Sequence, residues 1–122
     1  MDVNQKVGTV LIVDDDDQVR HTLRRLLTRQ GIESILEASD GSEAIYVAAK
    51  CQPDVVVLDA AMPYMSGGLA APFIRKQAPE AKIIAFSGQL ETKPAWADAF
   101  LVKGAETLLE VLMEVMAEPV VS

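Results

Sequence analysis

The chain has 122 residues, of which 50% are hydrophobic, and its 18 acidic side chains outnumber the 11 basic ones to give a net charge of -7. That length suits a single domain, expected over residues 1–122, and the acidic charge argues against binding nucleic acid through this chain. Because the apolar runs are short and interrupted by charges, the sequence predicts neither a membrane span nor a secretory signal, and we expect a cytoplasmic protein.

Five short apolar or β-branched runs predict the strands of a sheet. The first, third and fourth runs lack polar alternation, as is typical of central strands that helices cover on both faces. In chain order the predicted strands are Thr9 to Val13, Ser34 to Ala38, Val55 to Leu58, Ile83 to Phe86 and Phe100 to Val102.

Stretches of helical period between these runs predict four regular helices. Asp16 and Asp17 are expected to cap the first helix, Gly31 to end it, and Asp40 with Glu43 to form a capping box for the second. The four helices are marked by Val19, Leu23, Leu26 and Leu27; by Asp40 to Ala49; by Leu69, Phe73 and Ile74; and by Leu108, Leu109, Leu112, Val115 and Met116.

The connection between the fourth and fifth strands is short. It runs from Gly88 to Ala99, which is too little for a full helix with two loops, so we expect at most two helical turns beginning near Pro94. The alternation of strands and helices predicts the α/β class. Right-handed crossovers and central apolar strands favour a flavodoxin-like, doubly wound, five-stranded parallel sheet of order 2-1-3-4-5 with a shortened fourth helix.

Polar residues follow four of the predicted strands. Asp14 and Asp15 follow the first strand, Asp59 the third, Ser87 the fourth and Lys103 the fifth. In open sheets of this kind the functional crevice lies at the carboxyl ends of the strands. We therefore expect three acids, a hydroxyl and an ammonium to meet at one rim.

Three acids at one rim need a compensating charge. Two carboxylates about 4 Å apart repel by about 4 kcal/mol at an effective dielectric of about 20, whereas a helix N-terminus stabilises each by about 0.3 to 1 kcal/mol. A divalent cation offsets this repulsion, and ligands that are all oxygen favour Mg²⁺. Such a site suits phosphoryl transfer to Asp59, with Lys103 and Ser87 contacting phosphoryl oxygens.

Four segments resemble the receiver domain of two-component response regulators, and together they span nearly the whole chain. By this resemblance Asp59 accepts a phosphoryl group from a phosphohistidine of a sensor histidine kinase or histidine phosphotransfer protein. Asp14 and Asp15 would hold Mg²⁺ together with the Asp59 side chain and the backbone carbonyl of Ala61. The segments are LIVDDDDQVR (11 to 20), VVVLDAAMPYMSG (55 to 67), IIAFSG (83 to 88) and AFLVKG (99 to 104).

The resemblance also implies a switch, in which Ser87 is the switch hydroxyl, Phe100 the switch aromatic residue and Lys103 the lysine typical of the family. Two positions depart from the family pattern. Gly104 stands where a proline with a cis bond is usual, so we expect a trans bond there. The side chain of Ala61 cannot orient a water molecule, so we expect a long-lived phosphorylated state.

Our main hypothesis is a phosphorylation-dependent signalling switch rather than a metabolic enzyme, either stand-alone or part of a longer protein. A second hypothesis is a receiver-like interaction scaffold that works without phosphorylation, and the short fourth helix motivates it. A third is a phosphatase of the haloacid dehalogenase type, which would need an acid where this chain has Ala61. The downstream partner stays open, as does the oligomeric state, with a homodimer among the alternatives.

Overall fold

The computed structural model describes residues 7–88, 92–103 and 108–117. The prediction of a trans bond at Gly104 lies outside these residues. Five strands and four helices alternate in the described parts of the chain. They are β1 (Val10–Val13), α1 (Asp17–Arg29), β2 (Ile35–Ala38), α2 (Gly41–Cys51), β3 (Val55–Asp59), α3 (Gly67–Gln77), β4 (Lys82–Ser87), β5 (Ala99–Val102) and α4 (Leu108–Ala117).

The strands form one parallel sheet in the order β2-β1-β3-β4-β5. This order confirms the predicted flavodoxin-like topology and puts β1 and β3 side by side. In their register Val13 lies opposite Leu58, so the residues that follow them, Asp14 and Asp59, reach the same edge of the sheet. The position of the acids therefore follows from strand pairing and not from a local loop conformation.

Alternate residues of the strands point to opposite faces of the sheet, and each face carries its own apolar core. On one face, strand residues such as Leu11 and Val56 pack with α2 and α3. On the other face, Ile12 and Val57 pack with Leu23 and other residues of α1 and α4. No helix in residues 7–88, 92–103 and 108–117 has the length and apolar composition needed to cross a membrane.

Side chains cap the first two helices as predicted. The Asp16 carboxylate accepts a hydrogen bond from the Gln18 amide at 2.8 Å and caps α1. At α2, Asp40 accepts from the Glu43 amide at 2.8 Å, and the Glu43 side chain reaches back to the Ser39 amide at 2.7 Å. These bonds satisfy amide groups that a helix start leaves without partners.

The buried faces of two helices differ from the predicted stripes. In α1, Leu26 is 37% exposed, while Leu23 and Leu27 are buried. In α3, Leu69 and Phe73 are 60% and 54% exposed. The small residues of α3 face the core instead, because α3 packs directly against α2. The buried residues of α3 are Gly67, Ala70, Ala71 and Ile74.

The segment between β4 and β5 is short, as predicted. The prediction of a helix beginning near Pro94 was wrong, because the described residues 92–98 form no helix. Residues 92–98, which we call the strap, contain a turn in which the Ala97 amide donates to the Pro94 carbonyl at 3.2 Å. Pro94 thus begins a turn that is not continued into a helix. Trp96 is half-buried and packs on the core face shared with α2 and α3.

Side chains from distant parts of the sequence hold the strap. Arg75 of α3 donates to the Trp96 carbonyl at 2.9 Å and to the Asp98 carboxylate at 3.2 Å. The same Asp98 oxygen accepts the Ile83 amide of β4 at 2.8 Å. The strap is therefore fixed to α3 and β4 by polar contacts.

Gly67 opens α3 where the chain passes close to the end of β3. A Cβ atom at this position would lie 2.5 Å from the Asp59 carbonyl oxygen, a backbone atom that cannot rotate away. We expect Gly67→Ala to lower the free energy of unfolding by about 1 to 3 kcal/mol, as measured by urea denaturation. Gly88→Ala is the control, because a Cβ there meets nothing within 4 Å, and equal losses in both variants would contradict the prediction.

Candidate functional site

Three acidic side chains meet at the carboxyl edge of the sheet. Asp14 and Asp15 follow β1, and Asp59 ends β3. One carboxylate oxygen from each of the three lies within 4.8 Å of the others. Asp14 and Asp59 are buried, whereas Asp15 is exposed. The structure thus brings together the three acids that the strand ends predicted.

Lys103, directly after β5, supplies a positive charge to this cluster. Its Nζ lies 3.0 Å from Oδ2 of Asp14 and 3.5 Å from Oδ2 of Asp59. The ammonium also lies over the Phe86 ring, 5.4 Å from the ring centre. Burial disfavours the charged ammonium, but the two carboxylates outweigh that effect and raise the pKa of Lys103. Lys103 is therefore held in its charged form.

Each buried acid uses one oxygen for the backbone of its own loop. Oδ1 of Asp14 accepts the Asp16 amide at 2.9 Å, and Oδ1 of Asp59 accepts the Ala61 amide at 3.1 Å. The two Oδ2 atoms are buried and receive no hydrogen bond of normal geometry, although Lys103 lies at ion-pair distance from both. Buried polar atoms are rarely left in this state, so these oxygens are suited to a further ligand.

The charge balance of the site is suited to a divalent cation. Three carboxylates face one ammonium, so the cluster stays negative when all four groups are ionised. All of the clustered ligand atoms are carboxylate oxygens, the donors that Mg²⁺ prefers, and one acid is open to solvent so that the ion could keep water ligands. The residues present therefore fit a magnesium ion.

Burial is the main reason that Asp59 resists ionisation. The pKa of this carboxyl is raised from 3.8 to about 6, mainly by burial, although the hydrogen bond from the Ala61 amide opposes the shift. The negative charge of Asp14 contributes to this rise, and the positive charge of Lys103 opposes it. A bound cation would favour the charged form and oppose this shift.

The other predicted residues lie on β4, on β5 and in the loop after β3. Ser87 is buried at the end of β4, and its carbonyl accepts the Lys103 amide at 2.9 Å. Ala61 is exposed in the loop after β3, with its amide toward Asp59. Phe100 of β5 lies opposite Ala85 in the register and is half-buried against the core face shared with α2 and α3.

Two residues near the site were missed by the sequence analysis. Phe86 lies opposite Asp59 in the register and carries Lys103 over its ring. Arg20 of α1 donates from Nη1 to the Asp14 carbonyl at 2.6 Å. The strand register gives the signal for Phe86. For Arg20, the sequence signal is weaker. It is a basic residue in the first turn of the helix that follows the acids.

This fold is that of the response regulator receiver domain, and the chain belongs to that family. The sequence model of the family matches residues 10–110. Membership confirms the resemblance noted in the sequence and removes the support for the phosphatase of the haloacid dehalogenase type. It identifies the chain as a receiver domain of two-component systems.

Comparisons with individual proteins agree with this assignment. The chain is similar to the chemotaxis protein CheY of Thermotoga maritima, with 41% identity over 100 residues, which are 77% of this chain and 83% of that protein. It is also 45% identical over 85 residues to protein-glutamate methylesterase/protein-glutamine glutaminase 4 of Geobacter metallireducens, covering 69% of this chain but 24% of that protein. The chain therefore matches a minor part of that longer protein.

Among solved structures, the chain resembles response regulator protein TrrA of Thermotoga maritima in complex with Mg²⁺-BeF. The TM-score is 0.79 with 31% sequence identity, over 88% of this chain and 97% of that one. The match over nearly all of TrrA supports the same fold for both chains.

The raised pKa of Asp59 predicts a pH-dependent cost in the metal-free protein. Between about pH 4 and pH 6 the Asp59 carboxyl is ionised in the unfolded state but still protonated in the folded state, so the free energy of unfolding falls as pH rises. Above about pH 6 the carboxyl is ionised in both states, and the destabilisation stays constant. Asp59→Asn removes that cost. In EDTA at pH 7 it should raise the free energy of unfolding by about 1 to 3 kcal/mol, with a gain that shrinks toward pH 4.

Urea denaturation at several pH values measures this difference, and Asp15→Asn is the matched control. Asp15 belongs to the same cluster but is exposed, so its replacement should change stability less. A gain for Asp59→Asn that is equal at all pH values would show that burial of the charge is not its cause.

Proposed function

We propose that this receiver domain is a phosphorylation-dependent switch in which Asp59 is the phosphoacceptor. The donor is a phosphohistidine of a sensor histidine kinase or of a histidine phosphotransfer protein. Mg²⁺ is held by the side chains of Asp14, Asp15 and Asp59 and by the backbone carbonyl of Ala61. The domain acts in the cytoplasm as a signalling protein, and its phosphorylation changes a face that a partner protein binds.

The observation that carries this proposal is the pair of buried Oδ2 atoms of Asp14 and Asp59, which share the Lys103 ammonium and have no hydrogen bond of normal geometry. A site built only for stability would satisfy these atoms or replace them with apolar groups, because two buried carboxylates that share one ammonium are costly. Here an exposed third acid, Asp15, lies with them. That cost is reasonable if the oxygens serve a metal ion and a reacting phosphoryl group.

In the phosphoryl transfer an oxygen lone pair of Asp59 attacks the phosphorus atom. The bond from phosphorus to the imidazole nitrogen of the donor breaks, and its electron pair stays on that nitrogen. Lys103, held in its charged form, moves from the carboxylates to a phosphoryl oxygen. When bound, Mg²⁺ neutralises charge on the phosphoryl oxygens.

Ser87 and Phe100 are proposed to transmit the effect of phosphorylation to the partner-binding surface by changing their positions. Ser87 ends the strand that pairs with β3, and this position supports the proposal that its hydroxyl contacts the phosphoryl group. Phe100 lies on the neighbouring strand and is only half-buried, which leaves it room to change its packing. A switch of this kind requires a partner that binds the two states with different affinity.

Phosphorylation can be tested directly with a small donor. Incubation with acetyl phosphate and Mg²⁺ should add one phosphoryl group to the wild-type protein, as measured by intact mass. Asp59→Asn should gain none under the same conditions, and EDTA should prevent the gain in the wild type. Equal incorporation in Asp59→Asn would assign the acceptor to another residue.

A scaffold that works without phosphorylation is the second candidate function. The observation in its favour is the strap, which has a turn where we expected a helix. The same mass measurement separates the two functions. If the domain is a scaffold, Asp59 should gain no phosphoryl group when the protein is incubated with acetyl phosphate and Mg²⁺.

The side chain at position 61 is predicted to control how long the phosphorylated state lasts. Ala61 is exposed beside Asp59 and offers no polar side-chain atom to hold an attacking water. We expect Ala61→Asn to shorten the half-life of the acyl phosphate about tenfold, since positioned polar groups contribute about 10²-fold or more when optimal. Loss of the added mass after donor removal measures this, with Ala61→Val as control, and equal half-lives for Asn and Val would contradict it.

A further inference from the structure

Arg20 connects the acidic loop to the rest of the fold. Its side chain is 13% exposed, and Nη1 donates to the Asp14 carbonyl at 2.6 Å. Nε donates to the Glu37 carboxylate of β2 at 3.1 Å, and Nη2 pairs with Asp17. One guanidinium therefore ties together the end of β1, the start of α1 and the edge strand.

The Asp14 carbonyl belongs to the peptide group that joins the two acids of the loop. A peptide group is planar, so fixing its oxygen also fixes the direction in which Asp15 leaves Asp14. The other side of Asp14 is held as well, because its amide donates to the Ala38 carbonyl at 3.2 Å. Asp15 itself is exposed and has no core packing to orient it.

We propose that Arg20 is a positioning residue for Mg²⁺, which sets the relative directions of the Asp14 and Asp15 carboxylates by holding the peptide group between them. The proposal rests on the proposed function of the site. Mg²⁺ demands near-ideal octahedral geometry, so a rotation of this peptide group weakens its binding. Residues that orient metal ligands in this way typically change metal affinity by about 10- to 100-fold.

Simple electrostatics predicts the opposite sign. Arg20 is a cation close to a site for another cation, so removing its charge alone would make Mg²⁺ bind more tightly. Weaker binding after the loss of Arg20 can therefore be attributed to ligand position and not to charge.

Arg24 provides a matched control. It lies one turn further along α1, donates from Nε to the same Glu37 carboxylate at 2.6 Å and contacts the Ile35 carbonyl at 3.1 Å. Its hydrogen bonds go to β2, in contrast to Arg20, which also contacts the acidic loop. Arg20→Met and Arg24→Met each remove an ion pair with Glu37, but only the first releases the Asp14 carbonyl.

The experiment is calorimetric titration of Mg²⁺ into the wild type and both variants. We expect Arg20→Met to bind Mg²⁺ about 10- to 100-fold more weakly and Arg24→Met to stay within about threefold of the wild type. Unchanged or tighter binding in Arg20→Met overturns the proposal, and so does an equal loss in both variants. If the wild type itself binds no Mg²⁺, the metal site of the proposed function fails as well.

A second readout needs no metal. The Asp15 amide nitrogen shares a peptide plane with the Asp14 carbonyl. In the metal-free protein its NMR chemical shift should differ from that of the wild type in Arg20→Met but not in Arg24→Met. The absence of such a shift overturns the proposal. If Arg20→Met does not fold, Arg20→Lys keeps the charge but has one nitrogen in place of three, and it should still bind Mg²⁺ several-fold more weakly. Wild-type affinity in that variant overturns the proposal.

Discussion

The carboxylates of Asp14 and Asp59 lie side by side at the edge of the sheet because β1 and β3 pair directly. Burial of two like charges at this distance is unfavourable, and it is tolerated only with compensation. Lys103 provides part of that compensation, and it reaches the acids from β5 by crossing the Phe86 ring of β4. The site therefore depends on the register of four strands, and a slip in any pair would separate charges that must stay together.

The same constraint explains why the acids could be predicted from the sequence. Apolar runs that end in aspartate specify buried strands with charges at their ends, and the parallel order follows from the alternation with helices. The two caps of α1 and α2 could be predicted too, since Asp16, Asp40 and Glu43 act within a few residues of their own positions. Local chemistry and strand polarity are sufficient for these features.

Features that depend on contacts between distant parts of the sequence could not be predicted. Leu69 and Phe73 have helical spacing, yet the close packing of α3 on α2 selects the alanines of α3 for the buried side. The turn at Pro94 is stabilised by Arg75, which lies in α3, so the segment itself did not contain the information. Likewise, the role of Arg20 became apparent only when its reach to the Asp14 carbonyl was known.

The first turn of α3 links the acidic site to the strap. A methyl group at Gly67 would meet the Asp59 carbonyl at 2.5 Å, and one at Gly68 would meet Nε1 of Trp96 at 3.0 Å. Two adjacent glycines are thus in tight contact, one with the backbone of the phosphoacceptor proposed here and the other with the strap. Close-packed interiors leave little free space, so a side chain larger than hydrogen at either position would displace one of these neighbours. In this receiver domain the first turn of α3 therefore packs between the acidic site and the segment that joins β4 to β5.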